Sequence, residues 1–435
     1  MPDERQRQAE SDGELYRPGQ RARIVTGVTI GNALEFFDIT VYSFVAVTIG
    51  KVFFPDFSPY SQLLFSVGTF GVGFVTRPLG GLMLGAYADR AGRKAAMTLT
   101  LGLMALGSAL IGLAPTYDQV GILAPLILVF ARLLQGFSAG GEVGASTALL
   151  VELATPRTRS FYASWQLASQ GLGVGFGALI ATGTSYFLDA DDFLHWGWRV
   201  PFLIGTLILP VGLYIRRTLK EPATTKSARD AARHPLAELL LNHKRNLALA
   251  VMLTIGGTVS AYMITFYLPT YGITQLGLPM PSALLSGILG GIVTFVVAPI
   301  GGLAADRLPK KTIAISVRVI LALAIVPAFL LLNAFPTSTT LLVTVGLLAS
   351  LQALGSAATM AIIPSLLPRH LRATGMGMVY AIGVAIFGGF AQLVAVWLVQ
   401  STGSKISPAY YVIFCIAISL LALTKIEDRS AQNID

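Results

Sequence analysis

Long apolar runs alternate with short polar stretches along the whole chain. Twelve runs are long enough to cross a hydrocarbon layer of about 30 Å at about 1.5 Å per helical residue. They cover 24–50, 61–87, 95–114, 120–153, 160–187, 198–217, 245–274, 282–304, 312–333, 338–366, 373–400 and 407–424. We number them spans 1 to 12. The pattern predicts an all-α membrane protein of twelve transmembrane helices. Its parts are a polar tail at 1–23, a six-helix bundle at 24–217, a polar central loop at 218–244, a second six-helix bundle at 245–424 and a tail at 425–435. The first tail contains no apolar core of a signal peptide, so it is expected to stay on the chain.

Composition agrees with lipid as the main solvent. Hydrophobic residues make up 54% of the 435 and charged residues only 12%, against about 25% charged in a soluble domain. The net charge of +9 would suggest nucleic acid in a soluble protein. Here most lysines and arginines fall in alternate connections, which instead reports topology. With the N-terminus inside, the inner segments hold Arg5, Arg7, Arg17, Arg21 and Arg23, then Arg90, Arg93 and Lys94, then Arg157 and Arg159. The central loop adds eight more, from Arg216 to Arg245, and the later inner segments add Arg307, Lys310, Lys311, Arg369, Arg372, Lys425 and Arg429. The outer side holds Lys51, Lys405 and, at a span edge, Arg199, besides the acidic Asp189, Asp191 and Asp192. Both termini are therefore expected in the cytoplasm, with no nucleic-acid partner.

One cysteine, Cys415, lies in an apolar run, and the four histidines fall in connections. No disulfide, metal or cofactor site is expected from them. No nucleophile–base pair or phosphate loop stands out, so an enzyme is not expected.

The chain repeats itself. Gly85-Ala-Tyr-Ala-Asp89-Arg90-Ala-Gly92-Arg93-Lys94 follows span 2, and Gly302-Leu-Ala-Ala-Asp306-Arg307-Leu-Pro309-Lys310-Lys311 follows span 8. A weaker pair follows spans 4 and 10: Pro156 with Arg159, and Pro368 with Arg372. Two similar halves related by an axis along the membrane normal place a substrate site between them near mid-depth.

The first repeat resembles the G-x-x-x-D-R-x-G-R-[KR] loop of the major facilitator superfamily. Further motifs are similar to its metabolite:proton symporter family. They are Gly31-Asn32-Ala-Leu34-Glu35-Phe-Phe-Asp38, Arg77-Pro78-Leu-Gly80-Gly81, Arg132-Leu-Leu-Gln135-Gly136-Phe-Ser-Ala-Gly140-Gly141-Glu142 and Gly197-Trp198-Arg199-Val-Pro201-Phe202. Three stretches look like the citrate and tricarballylate carriers: Ser164-Trp165-Gln166-Leu-Ala-Ser169-Gln170, Pro269-Thr270-Tyr271-Gly272 and Ala385-Ile386-Phe387-Gly388-Gly389. The resemblance covers nearly all of the chain after residue 24. It implies two pseudo-symmetric six-helix bundles that rock about a mid-depth site, and a monomer. It also implies an inner-membrane symporter of protons and a small organic acid. Asp89, Arg90 and Arg93, with Asp306 and Arg307, would then be gating residues that latch the inner side. Pro309 departs from the glycine of the pattern, which puts the second latch in doubt.

Charges inside a bilayer are expensive and invite a functional reading. At about 1.5 Å per residue from the inner end, Glu35 lies about 17 Å deep, Asp38 about 21 Å, Arg77 about 18 Å and Glu142 about 16 Å. Arg132 is further toward the outside. The spacing of Glu35 and Asp38 puts both on one helical face. Burial raises the proton affinity of a carboxylate and a nearby arginine lowers it. A substrate anion competing for that arginine would couple the two. Proton coupling is therefore expected of Asp38, Glu35, Glu142 and Arg132, with a structural brace between spans 1, 2 and 4 as the competing reading. Arg77 and Arg132 can each hold a carboxylate through two parallel hydrogen bonds, or pair with the acids without touching substrate.

In the second half the one charge inside a span is Arg318, close enough to the inner surface to snorkel. Neutral hydrogen-bonders must complete the site there. Tyr267, Thr270 and Tyr271 gather near Pro269, where a broken helix would free backbone groups. Gln166, Gln170 and Gln392 are further candidates for substrate, with helix–helix glue as their alternative.

Other ligands remain open, among them 2-oxoglutarate, shikimate and zwitterions such as betaine or proline. A drug:proton antiporter need not place arginine in its cavity. A membrane sensor would need a longer output segment than either tail.

Overall fold

The computed structural model describes residues 18–91, 93–140, 147, 149–151, 153–155, 157–210, 212–213, 235–368 and 371–426. Among the described residues every regular element is a helix. Eight helices among the described residues are long and apolar enough to cross a membrane, at spans 1, 2 and 7 to 12. Shorter apolar helices at 98–112, 123–139 and 197–210 occupy spans 3, 4 and 6. The 29-residue helix Arg159–Phe187, less apolar because of its Gly, Ser and Gln, occupies span 5. The fold is thus that of a twelve-span, all-α membrane protein.

Element ends follow local chemistry. Ser58 and Thr337 each accept a bond from the amide three residues on, at the starts of spans 2 and 10. Such caps satisfy amides that have no helical partner. Gly403, at φ 67°, closes span 11 in the left-handed region that glycine enters freely. Two boundaries differ from the pattern. The first helix begins at Pro18, inside the expected tail, and a turn at Val45 divides span 1 before Ala46–Phe53. In the central connection, most of which falls outside the described residues, Pro235–Asn242 is a helix.

Span 7 is interrupted as Pro269 suggested, though by widening rather than breaking. Met263–Tyr267 form a π-turn just before the proline. The extra residue relieves the clash of the proline ring with the preceding turn. Span 11 carries the same device at Gly383–Gly388.

The packing repeats between halves. Span pairs 2–4, 3–4 and 1–5 recur as 8–10, 9–10 and 7–11. Between the halves, spans 5 and 8 share the largest interface. A Cβ at Gly291 would lie 2.4 Å from the Gly175 nitrogen and 2.7 Å from the Gly171 oxygen. Backbone therefore touches backbone at the crossing, where small residues allow close packing.

Candidate functional site

The buried charges of spans 1, 2 and 4 separate into two neighbouring networks. Asp38 is 1% exposed. Its carboxylate accepts from the Ser108 hydroxyl and, at 2.5 Å, from the Gln135 side-chain amide. That amide also donates to Ser108 Oγ at 3.1 Å. The Gln135 oxygen in turn accepts from Arg132 Nη1 at 2.9 Å. Asp38 and Arg132 thus communicate through one glutamine. The guanidinium of Arg132 lies 4.5 Å from the Tyr42 ring centroid and 5.2 Å from that of Phe70. Its Nη2 reaches the Phe70 carbonyl at 3.5 Å. Ring faces and a carbonyl supply the negative potential that a buried cation needs.

The second network pairs Arg77 Nη2 with Glu35 Oε1 at 4.0 Å. Phe74 supports it, with the guanidinium 4.3 Å from the ring centroid. Although Glu35 and Asp38 are one turn apart, they face different partners. A narrow cleft of about 10 Å³ lies between the networks, lined by Ile39, Gly73, Phe74, Arg77, Arg132, Gln135 and Gly136. That is about the space of one water, far below the roughly 300–1,000 Å³ of ligand sites, so this cleft as it stands is too small for a substrate.

Contacts join the two halves toward both ends. Toward the end that carries Lys51 and Lys405, Gln392 Nε2 donates to Ser43 Oγ at 2.9 Å, and the Phe44 and Phe266 rings stand 6.2 Å apart. Toward the opposite end, Asp306 accepts from the amides of Ser160 and Phe161 at 2.8 and 2.9 Å. These amides open the span 5 helix, where the positive end of the helix dipole favours a carboxylate. Removing such a cap costs about 0.5–2 kcal/mol. For Asp306→Ala, the thiol-labelling rate of a Ser164→Cys reporter, buried at this crossing, is expected to rise about two- to thirtyfold. Cys415 is buried in span 12 and provides the background rate. An unchanged rate would mean that Asp306 does not hold the inner side shut.

The remaining candidates fall as follows. Gln166 donates to Asn32 Oδ1 at 3.1 Å, bracing span 5 to span 1, and Gln170 is partly buried. Tyr271 donates to the Lys405 carbonyl at 3.2 Å and accepts from Asn333 at 2.7 Å, at the outer end of its own half. Tyr267 packs against Tyr271 with its ring tilted at 52°, and Thr270 bonds back to the Phe266 carbonyl at 3.4 Å. The structure does not bring these three to the charged networks. Arg90 and Arg307 are exposed. Glu142, and the side chains of Asp89 and Arg93, lie outside what is described.

Residues beyond the sequence candidates complete the site. Gln135 stands one turn after Arg132 in the same motif, and that spacing was its signal. Ser108 and Tyr42 carried none. Tyr262, one turn before Tyr267, is a second-half residue that packs against the first-half cluster. Its ring meets Phe74 at 5.9 Å and Phe266 at 5.0 Å, within electrostatic reach of Arg77, Glu35 and Arg132. Its hydroxyl is buried without a hydrogen-bond partner. The expectation that Arg318 snorkels is overturned: the residue is 4% exposed and points into its bundle.

The sequence model of the Major Facilitator Superfamily matches residues 28–383. The citrate-proton symporter of Klebsiella pneumoniae is 35% identical over 416 residues, covering 95% of this chain and 93% of that protein. The proline/betaine transporter of Escherichia coli K12 is 32% identical over 428 residues, covering 94% and 84%. A crystal structure of a D-xylose-proton symporter superposes with a TM-score of 0.73 at 18% identity, covering 92% of this chain and 96% of that one. The last likeness concerns the fold alone.

Proposed function

Since this chain belongs to the major facilitator superfamily, we propose that it is a proton-coupled symporter importing a di- or tricarboxylate of the citrate or tricarballylate kind. The observation that carries the reading is the Asp38–Gln135–Arg132 relay. It joins a buried proton acceptor to a buried cation through one side chain. When a substrate carboxylate draws on Arg132 or Arg77, less positive charge is left to stabilise the Asp38 anion, and a proton binds more readily. Releasing the substrate reverses the balance. Binding and protonation thus favour each other, as symport requires.

Alternating access would proceed by rocking of the two halves around the spans 5 and 8 crossing. Asp306 would latch the inner side, and the Gln392–Ser43 bond the outer side. The protein would act as a monomer in the inner membrane with both termini in the cytoplasm, as the distribution of lysine and arginine supports. Citrate is favoured by the likeness to citrate-proton symporters and by two buried arginines in one cluster. A zwitterionic substrate is the second reading, supported by the similar coverage of the proline/betaine transporters.

The test is uptake of labelled citrate, betaine and shikimate into proteoliposomes, with and without an inward proton gradient. Gradient-driven citrate uptake is the expected result. Uptake of betaine or shikimate in place of citrate would keep the transporter and discard the substrate class.

A further inference from the structure

Arg318 in span 9 is permanently charged and buried. Its Nη2 donates to the Leu253 carbonyl of span 7 at 3.2 Å. Its Nη1 has no hydrogen-bond partner, and among the described residues no carboxylate pairs with it. The first-half arginines differ. Arg77 faces Glu35, and Arg132 has Gln135 and two ring faces. A buried guanidinium with an unused fork is expensive to keep. Among the described residues, the second half therefore carries a buried positive charge with no carboxylate partner.

The surroundings of Arg318 suit a carboxylate. A Cβ at Gly257 would come within 3.3 Å of Nη2 and 3.6 Å of Ser356 Oγ. The bare glycine thus leaves the guanidinium open on the side facing span 10. Gln352 Nε2 lies across this gap, donating to the Gly257 carbonyl at 2.6 Å and to Ser356 Oγ at 2.9 Å. Gln352, Ser356 and Met360 follow one another at four-residue spacing along one face of span 10. Met360 Sδ accepts from the Tyr380 hydroxyl at 3.2 Å, and Tyr380 also bonds Thr147 of the first half. That face therefore runs to where the two halves meet. Gln352 and Gly257 are only partly buried.

We propose that Arg318, with Gln352 and Ser356, forms a carboxylate-binding site in the second half that takes one carboxylate of the transported substrate. The guanidinium supplies two parallel donors. The Gln352 amide and the Ser356 hydroxyl turn from their present partners to the second oxygen. Arg77 and Arg132 remain with the first-half cluster, so one substrate bridges both halves. The inference rests on the organic-acid reading above, and extends to any substrate that carries a carboxylate, betaine and proline included.

The experiment compares the full-length wild type with Arg318→Met and Arg318→Lys. It measures Tm of the purified protein alone and with citrate, tricarballylate, 2-oxoglutarate, betaine or proline, and KM in proteoliposomes. Arg318→Met removes an unpaired buried charge, so its Tm without ligand should equal or exceed that of the wild type. Its ligand-induced rise in Tm should vanish, and KM should increase at least about tenfold, or about 1.4 kcal/mol. Arg318→Lys keeps the charge but loses the fork, and should retain normal Tm with a raised KM. Should Arg318→Met fail to fold, the lysine variant decides. A variant with lowered Tm and wild-type KM would make Arg318 a brace to span 7 and overturn the site. A wild type that responds to betaine or proline and not to citrate would sink the di- or tricarboxylate reading alone. Loss of that response in Arg318→Met would still uphold the site. A wild type that none of these carboxylates shifts overturns it.

Discussion

Asp38→Asn is expected to abolish proton-driven accumulation of substrate while leaving downhill exchange measurable. The substitution is close in shape, and the pocket can accept it. The asparagine oxygen takes the bond from the Gln135 amide, and its NH₂ donates to Ser108 Oγ, which reverses its role. The variant should therefore fold. It cannot bind and release a proton at this position. With the membrane potential clamped, an inward gradient of one pH unit supports about tenfold accumulation for one coupled proton, since one unit corresponds to about 1.4 kcal/mol. The variant should reach an inside-to-outside ratio of about one under the same gradient. Counterflow between labelled and unlabelled substrate needs only the rocking motion and should persist. Full accumulation by the variant would move the proton to Glu35 or Glu142.

Gly136→Ala should remove most of the folded protein. Spans 2 and 4 touch backbone to backbone. A Cβ at Gly136 would sit 1.4 Å from the Gly73 carbonyl oxygen, and one at Gly80 would sit 1.8 Å from that of Phe137. No rotamer relieves a clash with a carbonyl, so the helices must move apart. That would loosen the Thr76 hydroxyl bond to the Leu133 carbonyl, now 2.7 Å, and draw Arg132 away from Phe70. Ordinary overpacking costs about 1–3 kcal/mol, and this case is expected to exceed about 4 kcal/mol. Fluorescence-detected gel filtration of a tagged protein measures the loss. Gly102→Ala and Gly183→Ala serve as controls, because a Cβ at either position meets nothing within 4 Å. Alanine also favours a helix over glycine by about 1 kcal/mol, so both controls should match or exceed wild-type yield. Monodisperse Gly136→Ala at wild-type yield would show that spans 2 and 4 do not pack as closely as described.

These two predictions mark how far the sequence could be read. Asp38, Glu35, Arg77 and Arg132 were visible because charges are rare in apolar spans and each must be explained. Gln135 was not among the candidates, although its place one turn after Arg132 could have marked it. The division of the acids was not visible. Glu35 and Asp38 share a helical face by spacing, yet Glu35 pairs with Arg77 while Asp38 bonds Ser108 and Gln135. The partners come from other helices, and nothing local to span 1 names them. The neutral candidates show the same limit. Gln166 and Gln392 have the chemistry of ligand contacts, but the first braces span 5 to span 1 and the second bonds Ser43 across the halves. Tyr271 is held at the outer end by Lys405 and Asn333, whereas Tyr262, which no pattern distinguished, meets the cluster.

The sequence by itself determined the class of the protein, because a segment crossing hydrocarbon must satisfy its own backbone, and apolar runs of about 20 residues do so as helices. It also determined the repeat, since two copies of one inner loop imply two copies of one bundle. Which face of each helix looks at lipid, at its neighbours or at the transport path was decided only by tertiary structure. In a bilayer all three faces can be apolar, so hydrophobic periodicity loses the contrast that reveals a core in water. Arg318 illustrates the difference. Its position along span 9 allowed a snorkelling side chain, and only the packing of spans 7 and 10 around it turned the guanidinium inward, beside Gly257 and Ser356.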